Sequence, residues 1–167
     1  MNITLRSWRS DDAIALAEAG NHKEITQYLR STFPNPYTIE DANFFIQLCQ
    51  SKSTQEELQY AILYDDNICG GIGLTFQNDL NCRNAELGYW LTPSAQGKGI
   101  AREAVHQICE IGFQKYQLLR IYAEVFSEHT ASRRVLEKNE FQIEGVLKNR
   151  IWKSGQCYDA LLYACIP

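Results

Sequence analysis

The run Gln96-Gly97-Lys98-Gly99-Ile100-Ala101 constrains this chain more than any other. It follows a strand-like segment, Ala85-Glu86-Leu87-Gly88-Tyr89-Trp90-Leu91-Thr92, and opens an amphipathic helix. In that helix Ala101, Ala104, Val105, Ile108, Cys109 and Gly112 recur at helical spacing. Two glycines around a lysine permit a tight turn and leave the backbone N–H groups uncovered. Those groups stand at a helix N-terminus, where orphan donors and the helix dipole favour anions. A strand, a bare-backbone turn and a helix predict a phosphate-binding corner in a mixed α/β fold. Lys98 adds charge to such an anion or stands solvated, since backbone N–H groups bind anions unaided. Gln96 donates to a phosphate or closes the loop. Arg102, in the first turn, opposes the dipole and so favours an anionic partner.

Two common phosphate loops are excluded by spacing. A Walker-type loop needs Ser or Thr directly after Gly-Lys, and Lys98 is followed by Gly99. The dinucleotide fingerprint breaks at Arg102, where its third glycine belongs, and the run lies past mid-chain.

The 167 residues suit a single domain, 1–167, with a sizeable core. Residues 3–9 alternate as a half-buried strand does. Ser10, Asp11 and Asp12 start a helix that Gly20 ends, and a short helix follows through Ile25 and Leu29. After the turn Pro34-Asn35-Pro36, Thr38 with Asp41 starts a longer helix. Its Ile39, Ala42, Phe45, Ile46 and Cys49 share a face, and it ends in polar residues 51–54. Strands are predicted at 58–64, 68–77 and 85–92, the first two joined by the hairpin turn Asp65-Asp66-Asn67. Beyond the glycine loop's helix come a strand at 118–126, a helix at 130–138 and a hairpin, 141–152 with 156–166. Apart from the short helix, the order β-α-α-β-β-β-α-β-α-β-β predicts a mixed, mostly antiparallel central sheet flanked by helices. One parallel step crosses the glycine-loop helix.

Six cysteines form no C-x-x-C pair, and none of His22, His106 or His129 stands at ligand spacing from a cysteine pair. Reduced core thiols and no metal are expected. A net charge of −4 argues against nonspecific nucleic-acid binding, which works through Lys and Arg on phosphates. No apolar run nears the ~20 residues of a membrane span, and the N-terminus shows no secretory signal, so a cytoplasmic protein is expected.

The run Gln96–Ala101 matches Gln/Arg-x-x-Gly-x-Gly/Ala, the pyrophosphate loop of the GNAT superfamily of N-acetyltransferases. The segment from Ala85 to Pro93 resembles the superfamily's strand whose splayed backbone holds the pantetheine arm of coenzyme A. His129-Thr130-Ala131-Ser132-Arg133-Arg134-Val135-Leu136-Glu137-Lys138-Asn139-Glu140-Phe141 is similar to its N-x-x-S-x-x-V-L-E-K-x-G-F helix. Phe33-Pro34-Asn35-Pro36-Tyr37-Thr38, with Glu40-Asp41-Ala42, resembles the branch containing ribosomal-protein N-terminal acetyltransferases.

The resemblance implies the acyl-CoA N-acyltransferase fold and acetyl-CoA as co-substrate. N–H groups around Gly97, Lys98, Gly99, Ile100 and Ala101 would face the pyrophosphate. Gln96, Leu91, Thr92, His129 and Ser132 would complete the coenzyme site, with backbone N–H near Leu91 at the oxyanion. Glu86 would be the base for the amine, or a structural carboxylate. Ser132 would reach the thiolate, or be a small polar residue of a helix start. Tyr37, Phe44 and Phe45, with the turn from Phe33 to Tyr37, would line the acceptor pocket or belong to the core. The acceptor would be a protein N-terminal amine or a small-molecule amine, and the protein a monomer or homodimer.

Four positions depart from the superfamily pattern. His129 replaces an asparagine that contacts pantetheine. Leu136 stands where many relatives carry a tyrosine general acid. Glu140 replaces a helix-ending glycine, leaving Asn139 to adopt the left-handed conformation. Ile151 lies near the position where the ribosomal branch supplies a glutamate proposed as base. These motivate an alternative, a non-catalytic acyl-CoA-binding module on the same fold.

Overall fold

The structure is a computed structural model describing residues 2–52 and 56–167. One seven-stranded sheet organises it, in the order β1-β2-β3-β4-β5-β7-β6. These strands are β1 (Ile3–Ser7), β2 (Glu57–Tyr64), β3 (Asn67–Phe76), β4 (Asn84–Leu91), β5 (Arg120–Phe126), β6 (Gln142–Lys153) and β7 (Gln156–Cys165). Every neighbouring pair is antiparallel except β4–β5. The helices are α1 (Ala13–Gly20), α2 (Lys23–Thr26), α3 (Ile39–Ser51), α4 (Ile100–Glu110) and α5 (Thr130–Glu137). The expected mixed, mostly antiparallel sheet flanked by helices is therefore present, with its parallel step across α4.

Strand alternation sorts side chains onto two faces. On one, Ile72, Leu74, Ala85, Leu87, Ile121 and Ala123 pack with Ile100, Ala104, Val105 and Ile108 of α4 and Leu136 of α5. On the other, Trp8, Ala61 and Leu63 pack with Leu16 of α1 and Ala42 and Ile46 of α3. The apolar stripes predicted for α3 and α4 meet opposite sides of the sheet, except that Ile39, at the first turn of α3, is exposed and lies outside the packed layer.

Local signals mostly act where expected. Thr38 caps α3 by accepting from the Asp41 N–H, and the Asp41 carboxylate accepts from the Thr38 N–H. Asp65 and Asp66 take positive φ in the β2–β3 turn. Some boundaries differ. Ser10–Asp12 forms a 3₁₀ turn ahead of α1, because Asp12 is drawn into a bidentate pair with Arg6 (2.6 and 2.8 Å). The helix expected through Leu29 stops at Thr26. β5 starts at Arg120 rather than Leu118. After α5, Glu140 takes the left-handed conformation (φ 64°), not Asn139. The Asn139 side chain instead donates to the Val135 carbonyl at 2.9 Å, spending its local hydrogen bond on the helix. The last polar residues expected to end α3, 53 and 54, lie outside the described residues.

Candidate active site

β4 and β5 pair at only three positions, Asn84↔Arg120, Ala85↔Ile121 and Glu86↔Tyr122, although β4 continues to Leu91 and β5 to Phe126. Beyond Glu86 the strands part. The Thr92 N–H donates to Cys69 at 2.8 Å, so alternation aims the N–H groups of Trp90 and Gly88 at β3. Those of Leu91 and Tyr89 point the other way, into the gap. The Leu91 carbonyl follows them and accepts from the Gln96 amide at 3.3 Å.

The glycine loop closes the wide end of this gap. Gly97 (φ 75°) and Gly99 (φ 80°) both require the left-handed region, and a Cβ at either would project into open space. Gly99 caps α4, its carbonyl accepting from the Glu103 N–H at 3.1 Å. The N–H groups of Ile100, Ala101 and Arg102 are thus the helix's orphan donors. The Ile100 side chain is fully buried and pins the loop to the core. The Gln96 amide closes the loop onto the Leu91 carbonyl, one of the two readings of its sequence position. Lys98 leans over the Tyr64 ring, 6.0 Å from its centroid. Thr92 is buried, its N–H committed to β3 and its hydroxyl 3.3 Å from Ser94 Oγ.

Glu86 projects from the opposite face of β4, with Gly88 and Trp90. Its carboxylate pairs with Arg30 at 3.2 Å; the Glu86 side chain is 29% exposed and that of Arg30 79%. A Cβ on Gly88 would meet nothing within 4 Å, so open space adjoins Glu86. Phe33 stands edge-on to Trp90 at 5.7 Å and bounds that space. Tyr37, Phe44 and Phe45 also reach the cleft, although Tyr37 is mainly core and Phe44 mainly exposed. Glu124, two residues beyond Tyr122, is held by Arg150 at 2.9 and 3.1 Å.

Ser132 lies on the α4–α5 side and is buried, its Oγ 2.8 Å from the Tyr89 hydroxyl. Burial pushes Tyr89 up to about 12, against the opposing effect of the Ser132 hydrogen bond. One continuous cleft of about 1620 Å³ joins the two sides and is lined by Phe33, Glu86, Trp90, Gly97, Gly99 and Ser132. Sequence reasoning missed three members of this site. Tyr89 was half visible, since alternation places it opposite Glu86, but nothing local names the helix it meets. No local signal announced Arg30 or Tyr28.

His129 caps α5, and its ring stacks on Tyr28 at 3.8 Å and 12°. Desolvation lowers its pKa below the ordinary histidine value. The folded protein therefore resists protonation that the unfolded chain accepts near pH ~6.5. The stability from neutral His129 is full above that pH and is lost as pH falls through the lower folded value. Melting temperatures measured from pH 7.5 to 5 are expected to fall more steeply for wild type than for His129→Asn. Parallel curves would contradict a buried neutral imidazole.

Ile151 lines the cleft and supplies no carboxylate. All six cysteines are free, Cys69, Cys109 and Cys165 buried and Cys82 and Cys157 exposed. Among the described residues no group of three or more His, Cys, Asp or Glu is placed to hold a metal, and no helix is long and apolar enough to cross a membrane.

Comparison with known proteins places this geometry. The acetyltransferase (GNAT) domain family model matches residues 2–142. The "Uncharacterized N-acetyltransferase p20" of Bacillus licheniformis is 31% identical over 168 residues, covering 98% of this chain and 92% of that protein. The "Ribosomal-protein-serine acetyltransferase" of Escherichia coli is 32% identical over 107 residues, 64% of this chain and 59% of its own length. The structure of Mycobacterium smegmatis RimJ in complex with CoA-disulfide superposes with a TM-score of 0.90 at 26% identity, covering 98% of this chain and 81% of that one. With strand splay, glycine loop and family model in agreement, this chain belongs to the GNAT family of N-acetyltransferases.

Proposed function

We propose that the protein transfers an acetyl group from acetyl-CoA to a primary amine by direct attack in a ternary complex. The observation that carries this reading is the parting of β4 and β5 after Glu86. It opens one cleft to both faces of the sheet, with Glu86 on one side and Ser132 on the other. The residues present fit the coenzyme, because the open space beside Gly97 and Gly99 is what a Cβ would fill and a pyrophosphate would use. The coenzyme supplies the activated acetyl group. Everything else falls to this chain.

N–H groups of Ile100, Ala101 and Arg102 hold the pyrophosphate, and Gly97 and Gly99 shape the approach. The Leu91 N–H, aimed into the gap, donates to the carbonyl oxygen. His129 stands beside the pantetheine arm. Affinity for acetyl-CoA is expected to survive His129→Asn and to weaken with His129→Ala, by calorimetry; equal affinities would place the imidazole elsewhere. Glu86 takes the amine's proton through water in the open space above Gly88. An α-amine, with a pKa near ~8, needs less of this help than an alkylamine near ~10. Arg30 must yield when a cationic amine arrives, and its exposure makes that displacement inexpensive.

The acceptor is a protein N-terminal amine or a small-molecule amine. A panel of peptides and small amines, assayed for free coenzyme A release, tests the proposal. The Arg30–Glu86 pair favours one other reading, a binding module whose carboxylate is occupied by its own arginine. Saturable acetyl-CoA binding with no thiol release from any amine would establish that reading instead.

A further inference from the structure

We infer that Tyr89 is a positioning residue for the leaving thiol: its hydroxyl donates to Ser132 Oγ and leaves the single Ser132 O–H free to donate to the coenzyme's sulfur. This rests on the proposed acetyl transfer and on Ser132 reaching the coenzyme's thiolate, as the family resemblance implies.

The pair bridges the two banks of the cleft. Tyr89 stands on β4 in the stretch no longer paired with β5, and Ser132 in the first turn of α5, 43 residues later. Each hydroxyl has one proton to give. Two oxygens lie near the Tyr89 hydroxyl, Ser132 Oγ at 2.8 Å and the Ser132 carbonyl at 3.2 Å. Helix geometry offers that carbonyl the N–H of Leu136, whereas Oγ has open lone pairs and the shorter contact. Without a donor, a serine hydroxyl in a helix tends to bond back to a carbonyl three or four residues earlier. By donating to Oγ, Tyr89 anchors that oxygen through one lone pair and turns the serine's own O–H away from the phenol.

The step is a hydrogen bond and not a proton transfer. Burial holds the Tyr89 phenol at about 12, some three pH units above a thiol at ~8–9. In the reaction the N–C bond forms and the C–S bond breaks, leaving its electron pair on sulfur. The amine's proton passes to Glu86 and solvent, and Ser132 and Tyr89 keep theirs. Leu136, buried and apolar, offers no hydroxyl from α5, so the phenol near Ser132 comes from the sheet.

Coenzyme A itself is the probe, since the bound thiol reports a donor through its ionisation. Thiolate absorbance of the saturated complex is titrated against pH for wild type, Ser132→Ala, Tyr89→Phe and the double variant, with affinities from calorimetry. Wild type is expected to ionise the bound thiol below the free coenzyme. Ser132→Ala should raise the midpoint by about one pH unit, a tenfold effect. Tyr89→Phe should give most of that rise with affinity unchanged, the double variant no more than Ser132→Ala, and Ser132→Thr should restore the wild-type midpoint. Tyr89→Phe titrating as wild type, or adding fully to Ser132→Ala, would overturn the positioning role while leaving Ser132 in place. A Ser132→Ala complex titrating as wild type would remove the serine placement itself.

Discussion

Glu86→Gln is expected to lower turnover roughly 100-fold or more, the usual worth of a positioned general base. Acetyl-CoA affinity should barely change, because the glycine loop lies at the other end of the cleft. The substitution is nearly isosteric and breaks only an ion pair whose arginine is 79% exposed, so it should cost the fold less than about 1 kcal/mol. The deficit should shrink at alkaline pH, where more of the acceptor is already neutral, and should be larger for alkylamines than for α-amines. Steady-state kinetics across pH on any acceptor found by the panel checks this. Full turnover at every pH would leave deprotonation to water alone.

The second large effect is expected at Gly99. A valine there must adopt φ near +80°, a conformation that β-branched residues almost never take. The side chain itself would meet open space, so the difficulty is the backbone and not a clash. Relief requires the loop to re-turn, which redirects the first N–H groups of α4 away from the pyrophosphate. Losing one or two charge-assisted hydrogen bonds, at ~1.5–3 kcal/mol each, should weaken acetyl-CoA binding by roughly 10- to 20,000-fold. The strain costs the free protein about 1–3 kcal/mol. The signature is therefore a small loss of melting temperature without ligand and a much larger loss of the ligand-induced rise. Unchanged affinity by calorimetry in a folded Gly99→Val protein would remove the pyrophosphate assignment.

What could be read along the chain was whatever a residue and its near neighbours decide by themselves. The Thr38–Asp41 cap, the Asp65-Asp66 turn, the α4 stripe and the left-handed glycines at 97 and 99 are such cases, because sterics and hydrogen bonds within a few residues settle them. Even there a partner on the preceding strand shifted a boundary, as when Arg6 took Asp12 and tightened the start of α1. The choice between Asn139 and Glu140 for the left-handed position was likewise open to nearby competition, and the Val135 carbonyl decided it.

The candidate site divides along the same line. The sequence by itself determined the corner of strand, glycine loop and helix start, since it needs only a strand, two bare residues and a helix start in succession. It also determined that Glu86 and Tyr89 leave β4 on opposite sides, because alternation is a property of the strand. Tertiary structure alone decided where β4 and β5 stop pairing. It decided too that Arg30 meets Glu86 across 56 residues of chain, that Tyr28 covers His129, and that Ser132 finds the Tyr89 hydroxyl. Such contacts depend on how the sheet twists and how the helices dock on it. Those are set by the summed packing of the two hydrophobic layers, and no short stretch of residues carries that sum.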